Sequence, residues 1–400
     1  MADGAAHADR GVGAGPVYLH VGLPKTGTTF LQRLLRDNRE LLAEHGVLYP
    51  VHGPASMFHA AIELRRSHEY WGVDPERIEG TWQGMCEEAR AFCGSTIMGH
   101  EILAAATKPQ IKRVAADLSD VELHVVVTAR DLGRQIPAWW QEWVKDRHVT
   151  GFAETMERQV LPGWDADTRK SLFWRSQDLV GVLRRWGTAV PPDRIHVVTA
   201  PPPGADPQEL WRRFSAAVGV PDGIAVDPGP RSNESLGVAE VALLRATIEA
   251  LEGRLVQPDY GPVVKHWFAE QVLSPRASRR PELPADWQLR VDQMTDRWTS
   301  YLTEAGVRVH GSLDDLRSTV AGAGVPAPDD VAAEELTALA PRAMAEMLIE
   351  VAQLRQEGQE ARRELALAER TLDDRRVVRR GRRVLGAVKR RALERVGRSR

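Results

Sequence analysis

A short loop near the start of the chain, Gly22-Leu23-Pro24-Lys25-Thr26-Gly27-Thr28-Thr29, carries the residue types best suited to chemistry. A phosphate is held by backbone N–H groups aimed at one point, a helix N-terminus behind them, hydroxyls and a cation. Gly27 allows close backbone approach, Thr28 and Thr29 offer hydroxyls at a helix start, and Lys25 brings charge. Gly22 and Gly27 have the separation of the nucleotide motif GxxxxGK[ST], but Thr28 stands where that motif has its lysine. A triphosphate needs the lysine after the second glycine, reaching the β- and γ-phosphates, together with magnesium. A lysine inside the loop, followed by two threonines, suits a single 5′-phosphate.

Such a loop has to be carried by a strand before it and a helix after it. Val17 to Val21 is a short β-rich run, and from Thr28 onward Phe30, Leu31, Leu34 and Leu35 fall on one helical face. Val47 to Tyr49 reads as a short strand, Thr96 to Gly99 as a core strand opening onto His100 and Glu101, and Leu123 to Thr128 as a strand buried on both faces. A tryptophan-rich helix follows at about Leu132 to Arg147, then an amphipathic helix, Leu172 to Trp186, and a buried strand, Arg194 to Thr199. Helices are predicted near 207–218, 234–252 and 285–305. Strands alternating with helices predict an α/β fold of three layers, a central parallel β-sheet flanked by helices. Ligands of such sheets sit beyond the C-terminal strand ends, so the informative loops follow Val21, Gly99 and Thr128.

The stretch PKTGTTFLQ, Pro24 to Gln32, resembles the 5′-phosphosulfate-binding loop of sulfotransferases that use 3′-phosphoadenosine 5′-phosphosulfate (PAPS). The resemblance spans roughly Val17 to Ala305 and is specific in this loop and around Arg130. It implies a sulfotransferase fold related to the P-loop NTPases, with PAPS as donor and adenosine 3′,5′-bisphosphate as product. It also implies that Lys25 stabilises the departing phosphate, and that Pro24, Thr26, Gly27, Thr28 and Thr29 hold the 5′-phosphate. An arginine after the VVV strand then binds the 3′-phosphate, which fits Arg130. The serine expected eight residues later is Ala138 here. Arg134, one turn along, stands where it can compensate.

Sulfuryl transfer to a hydroxyl needs a group that takes the acceptor's proton. The resemblance implies a glutamate or histidine after an early core strand. Glu101 is the favoured base and His100 the alternative, while a carboxylate at a helix start also fits the helix dipole. Arg231, in the segment Arg231-Ser232-Asn233, is a further candidate for the 3′-phosphate, with a loop and helix cap as the plainer reading. Trp139, Trp140 and Trp143 suit either a stacking floor for a sugar or adenine, or core packing. A glutamate base beside tryptophans favours a carbohydrate or glycolipid hydroxyl as acceptor, small molecules remaining open.

Whole-chain properties narrow the rest. Two cysteines, Cys86 and Cys93, are too few for a disulfide framework and lack a zinc spacing. His52, His59 and His68 match no metal pattern, and no metal is expected. The N-terminus lacks the order of a signal peptide, and no apolar run approaches the roughly 20 residues that span a bilayer. A cytoplasmic protein is expected, peripheral at most on the inner face of the membrane. The 400 residues carry a net charge of −2, yet 375–400 hold twelve Lys or Arg against one Glu, leaving the remainder at −13. That basic tail, with its interspersed valines and leucines, suits an anionic membrane surface, a polyanion, or plain solvation; no specific nucleic acid is implied. The predicted organisation is a flexible 1–15, a catalytic domain over 16–318, a linker over 319–334, a helical heptad segment over 335–374 and the tail. Met344, Val351, Gly358, Leu365 and Leu372 recur every seven residues, interleaved with Met347, Leu354, Ala361 and Ala368. This pattern predicts a coiled coil, with self-association through 344–372, or a helix docked on the body. Two rivals remain at this stage: a P-loop kinase, and a degenerate fold of the same class serving as a binding scaffold, for which Ala138 is the encouragement.

Overall fold

The computed structural model describes residues 14–51, 53, 55–164, 171–221, 223–224, 229, 235–276 and 278–396, with the backbone alone for 276 and 368–396. Its centre is one six-stranded sheet of β1 (Val17–Gly22), β2 (Val47–Leu48), β3 (Ser95–Met98), β4 (Leu123–Ala129), β5 (Ile195–Thr199) and β6 (Arg308–His310). The strand order is β2-β3-β1-β4-β5-β6, and every paired neighbour is parallel. The α/β class with a helical C-terminal extension is therefore observed.

β4 and β5 are buried at every position, as strands covered on both faces must be. The edge strands β2 and β6 are only two and three residues long, which leaves little open edge for another chain to pair with. Six tryptophans, Trp82, Trp140, Trp164, Trp174, Trp186 and Trp298, are fully buried. Cys86 is buried on the helix Thr81–Ala91, where burial pushes its thiol up to about 12.

β1 stands between β3 and β4, and the connections diverge there: the chain leaves β1 toward the β2–β3 side, while β4 feeds β5 on the other. Ligand crevices of open parallel sheets form at such switch points. The pairing of β1 with β4 slips between His20 and Gly22, which bends the strand as it enters the loop.

The chain divides into two units, 1–336 and 337–400. Within the first, the stretch after 318 is tied back to its surroundings. The Ala321 N–H donates to the Leu283 carbonyl at 2.8 Å, and Asp329 accepts from the Phe152 and Ala153 N–H groups at 2.7 and 2.8 Å. The second unit is the major part of one helix, Ala333–Val396, which runs through both the heptad stretch and most of the basic tail. Among the described residues no helix is long and apolar enough to cross a membrane.

Candidate active site

The loop after β1 is clamped from beneath by β4. Leu23 N–H donates to the Thr128 carbonyl at 2.8 Å, and the Thr128 hydroxyl donates to the Gly22 carbonyl at 3.0 Å. Thr26 is buried, its hydroxyl donating to the Leu23 carbonyl at 2.6 Å and lying 2.5 Å from the Thr128 hydroxyl. Its side chain thus braces the loop from inside, and what it presents outward is backbone. His20 lies below, 3.2 Å from the Thr128 hydroxyl, and burial lowers its imidazole to about 4. A rigid loop of this kind can present its N–H groups without reorganising when an anion arrives.

Gly27 is the point where that presentation depends on glycine. It has φ +98°, a left-handed conformation, and a Cβ there would come within 2.4 Å of a Leu210 methyl. Gly27 leads into the helix Thr28–Asp37, and among the described residues no side chain caps that helix start. Helix geometry leaves the Thr28 and Thr29 N–H groups without an acceptor inside the helix, while Phe30 N–H donates to the Gly27 carbonyl at 3.1 Å. Thr28 is buried at the first turn and Thr29 is exposed beside it.

Lys25 sits at φ +68° and turns its ammonium to Glu142 of the tryptophan helix Leu132–Lys145, with Nζ 2.8 Å from Oε1. Glu142 also receives Lys145 at 2.8 Å and Lys265, from the helical segment Gly261–Leu273, at 3.1 Å. Burial works to raise the Glu142 carboxyl, but Lys25, Lys145 and Lys265 overcome it and hold the group well below the carboxylate range. Lys265 and Lys145 keep second acid partners in Asp146 and Glu270 at 2.8 and 3.5 Å. Sequence reasoning missed Glu142, because two of its three lysines come from other parts of the chain.

Glu101 and His100 close the crevice from the β3 side. Gly99, at φ +119°, lets the end of β3 pass over β1: a Cβ there would lie 2.3 Å from the His20 carbonyl. His100 then begins a tight turn, Glu101–Ala105, and its Nδ1 accepts from Ile102 N–H at 3.4 Å. Glu101 accepts from the Gln32 amide at 2.8 Å and lies 3.5 Å from His100 Nε2. Burial alone would raise the Glu101 carboxyl, yet His100, Gln32 and Lys25 hold it below its ordinary value, so it is ionised near neutral pH. Gln32, one turn along the first helix from Thr28, is a second contributor the sequence did not reveal.

Arg130, just past β4, donates through Nη1 to the Lys25 carbonyl at 3.0 Å, so its guanidinium lies against the loop. Gln135, on the first turns of the tryptophan helix, donates to the Pro24 carbonyl at 3.2 Å and also bonds Gln177. Arg134 turns to Asp131, which caps that helix, and to the Pro201 carbonyl at 3.1 Å. Ala138 is half-buried two turns along. Trp139 and Trp140 are buried in the core, and Trp143 stacks on Trp139 with ring centres 5.1 Å apart. Arg231 and His52 lie outside the described residues.

A cavity of about 80 Å³ opens beside His100, lined by Gln32, Arg36, Tyr49, Met57 and Phe58 among others. The end of β1 therefore brings together a helix start without a side-chain cap, a lysine within the loop, an arginine against that loop and an ionised carboxylate next to His100, which lines a small cavity. Such a set can bind a phosphorylated ligand, stabilise charge on an oxygen beside Lys25, and take a proton at Glu101.

No family model matches the chain, and no curated protein matches it in sequence. Among solved structures, a sulfotransferase from Alicyclobacillus acidocaldarius is similar at 15% identity and a TM-score of 0.36, over 60% of this chain and 97% of that one. A likeness that distant decides neither fold nor function, which rest on the geometry.

Proposed function

We propose that this protein is a sulfotransferase that moves a sulfuryl group from PAPS to the hydroxyl of a carbohydrate or glycolipid acceptor. The observation that carries the reading is the placement of Lys25 inside a glycine loop, in front of an uncapped helix start, with ionised Glu101 within its electrostatic reach. The 5′-phosphate is held by the backbone of Pro24 to Gly27 and by Thr28 and Thr29, and the 3′-phosphate by Arg130. Arg231 and Arg134 are secondary candidates, the latter only if it leaves Asp131.

In the reaction the acceptor oxygen attacks sulfur while Glu101, or His100 in its place, takes the hydroxyl proton. The bond from sulfur to the bridging oxygen breaks, and that oxygen leaves on the 5′-phosphate of adenosine 3′,5′-bisphosphate. Lys25 stabilises the charge that develops there, an electrostatic contribution that grows toward the transition state. Before the donor binds, Lys25 is held by Glu142, so the phosphosulfate competes with a carboxylate for the ammonium. The acceptor enters through the cavity beside His100, opposite the leaving group, as in-line displacement requires.

The test is release of the bisphosphate from PAPS in the presence of a panel of oligosaccharides and glycolipids. Lys25→Ala is expected to lower turnover by about 100- to 1,000-fold while the bisphosphate still binds. Turnover equal to the parent's would remove Lys25 from the mechanism.

A further inference from the structure

Among the described residues of the second unit, the helix Ala333–Val396 leaves an apolar seam exposed. Met344, Met347, Leu348, Val351, Leu354 and Leu365 are between 41% and 68% exposed. Apolar side chains of that size, repeated along several turns, mark a surface that another molecule covers. Their spacing selects the kind of cover. Met344, Val351, Gly358 and Leu365 fall on one position of a heptad, and Met347, Leu354, Ala361 and Ala368 on the position three residues later. A seam repeating every 3.5 residues fits another helix wound along it.

The flanking charges say which helix and in which direction. The residues just before each first seam position are Glu350, Glu357 and Glu364; those just after each second one include Arg355 and Arg362. In a parallel pair of identical helices in register, Glu350 meets the partner's Arg355, and Glu357 meets the partner's Arg362. Each contact occurs twice by symmetry. In sequence the series ends on Glu364 and Glu369, one like-charged pairing against two favourable ones. In an antiparallel pair the same positions set Glu against Glu and Arg against Arg. We infer that residues 344–372 form a parallel, in-register two-stranded coiled coil between two copies of this chain. Gly358 and Ala361 make its middle layers thin, so the adhesive part is the stretch Met344 to Leu354. The parallel direction brings the two basic stretches beginning at Arg375 out at the same end of the pair.

The experiment is sedimentation equilibrium of the full chain and three variants, with helical content checked by circular dichroism. The parent is expected at twice the monomer mass, and Val351→Asp with Leu354→Asp at the monomer mass. Glu350→Arg with Glu357→Arg leaves the apolar seam whole and is expected to weaken the dimer roughly tenfold, since two attractive contacts per strand become repulsive. Adding Arg355→Glu and Arg362→Glu restores it. A parent that is monomeric at every concentration, or a dimer indifferent to the two aspartates, would overturn the inference. A dimer unchanged or tightened by the Glu→Arg pair would overturn the parallel direction, because an antiparallel pair has no Glu–Arg attraction at these positions to lose.

Discussion

At the C-terminal end of β1, the half-buried Glu142 pairs with Lys25 and stays charged; along the same sheet, toward the start of β4 and β5, the buried His196 is held in its neutral form. His124, His196 and His310 reach across neighbouring strands, with ring nitrogens 2.9 and 3.1 Å apart, and His124 also meets Glu122 at 2.9 Å. Tyr18 of β1 packs on His124 with ring centres 4.8 Å apart. Burial lowers His196 to about 4, and His124, His310 and Arg308 push the same way. Both clusters are withdrawn from water, so burial alone does not decide charge. Three lysines around one carboxylate keep it ionised, whereas burial and the facing imidazoles and arginine oppose a proton on His196. The charged end is therefore the one that can trade a partner for an anionic ligand, and the histidine end can only hold the sheet.

The largest effect that sharpens this contrast is at Glu101. Glu101→Gln removes the ionised acceptor of the proton and is expected to lower turnover by about 10²- to 10⁴-fold, with bisphosphate affinity little changed. An intact rate in that variant would move the proton transfer to His100. Glu142→Gln comes next. It leaves Lys25, Lys145 and Lys265 without their shared carboxylate, though Asp146 and Glu270 still serve two of them. A loss of about 1–3 kcal/mol in chemical denaturation is expected. A variant as stable as the parent would show that the lysines do not need it.

The smallest effect is the pH response of the histidine end. Because His196 is harder to protonate folded than at its ordinary value of 6.5, the unfolded chain binds more protons as pH falls from 6.5 toward about 4, and stability drops in that window. The lowered carboxyls of Glu101 and Glu142 act in the other window. Their stabilisation is present above the ordinary carboxylate value and is lost only as pH falls below it. Melting temperatures of His196→Phe measured from pH 7 to pH 4.5 are expected to fall less steeply than the parent's. Parallel curves would place the acid sensitivity elsewhere.

The sheet centre was legible because β1, β4 and β5 are short runs rich in strand-forming residues, with VVV in β4 and VVT in β5 typical of a covered parallel strand. β6 was not, since three residues with an exposed Arg308 carry no pattern, and its place comes from pairing with β5. The helix read over Leu172 to Trp186 is two, Leu172–Gln177 and Leu179–Trp186, because Asp178 leaves helical geometry with ψ 96°. The segment Gly261–Leu273 mixes apolar and charged residues without a stripe, which hid it and with it Lys265. The loop from Pro24 to Thr29 and Glu101 were visible as motifs because their chemistry is local in sequence. Glu142, Gln32 and Gln135 act through contacts made only on folding.

Calorimetric titration with adenosine 3′,5′-bisphosphate, set against ATP with magnesium, shows whether the loop after β1 and Arg130 form a donor site for a nucleotide with separate 5′- and 3′-phosphates. The bisphosphate is expected to bind without magnesium and ahead of ATP, with affinity falling about 10- to 100-fold in Arg130→Ala, the loss of a charge-assisted phosphate contact. Preference for magnesium ATP, or no binding of the bisphosphate at all, would contradict it.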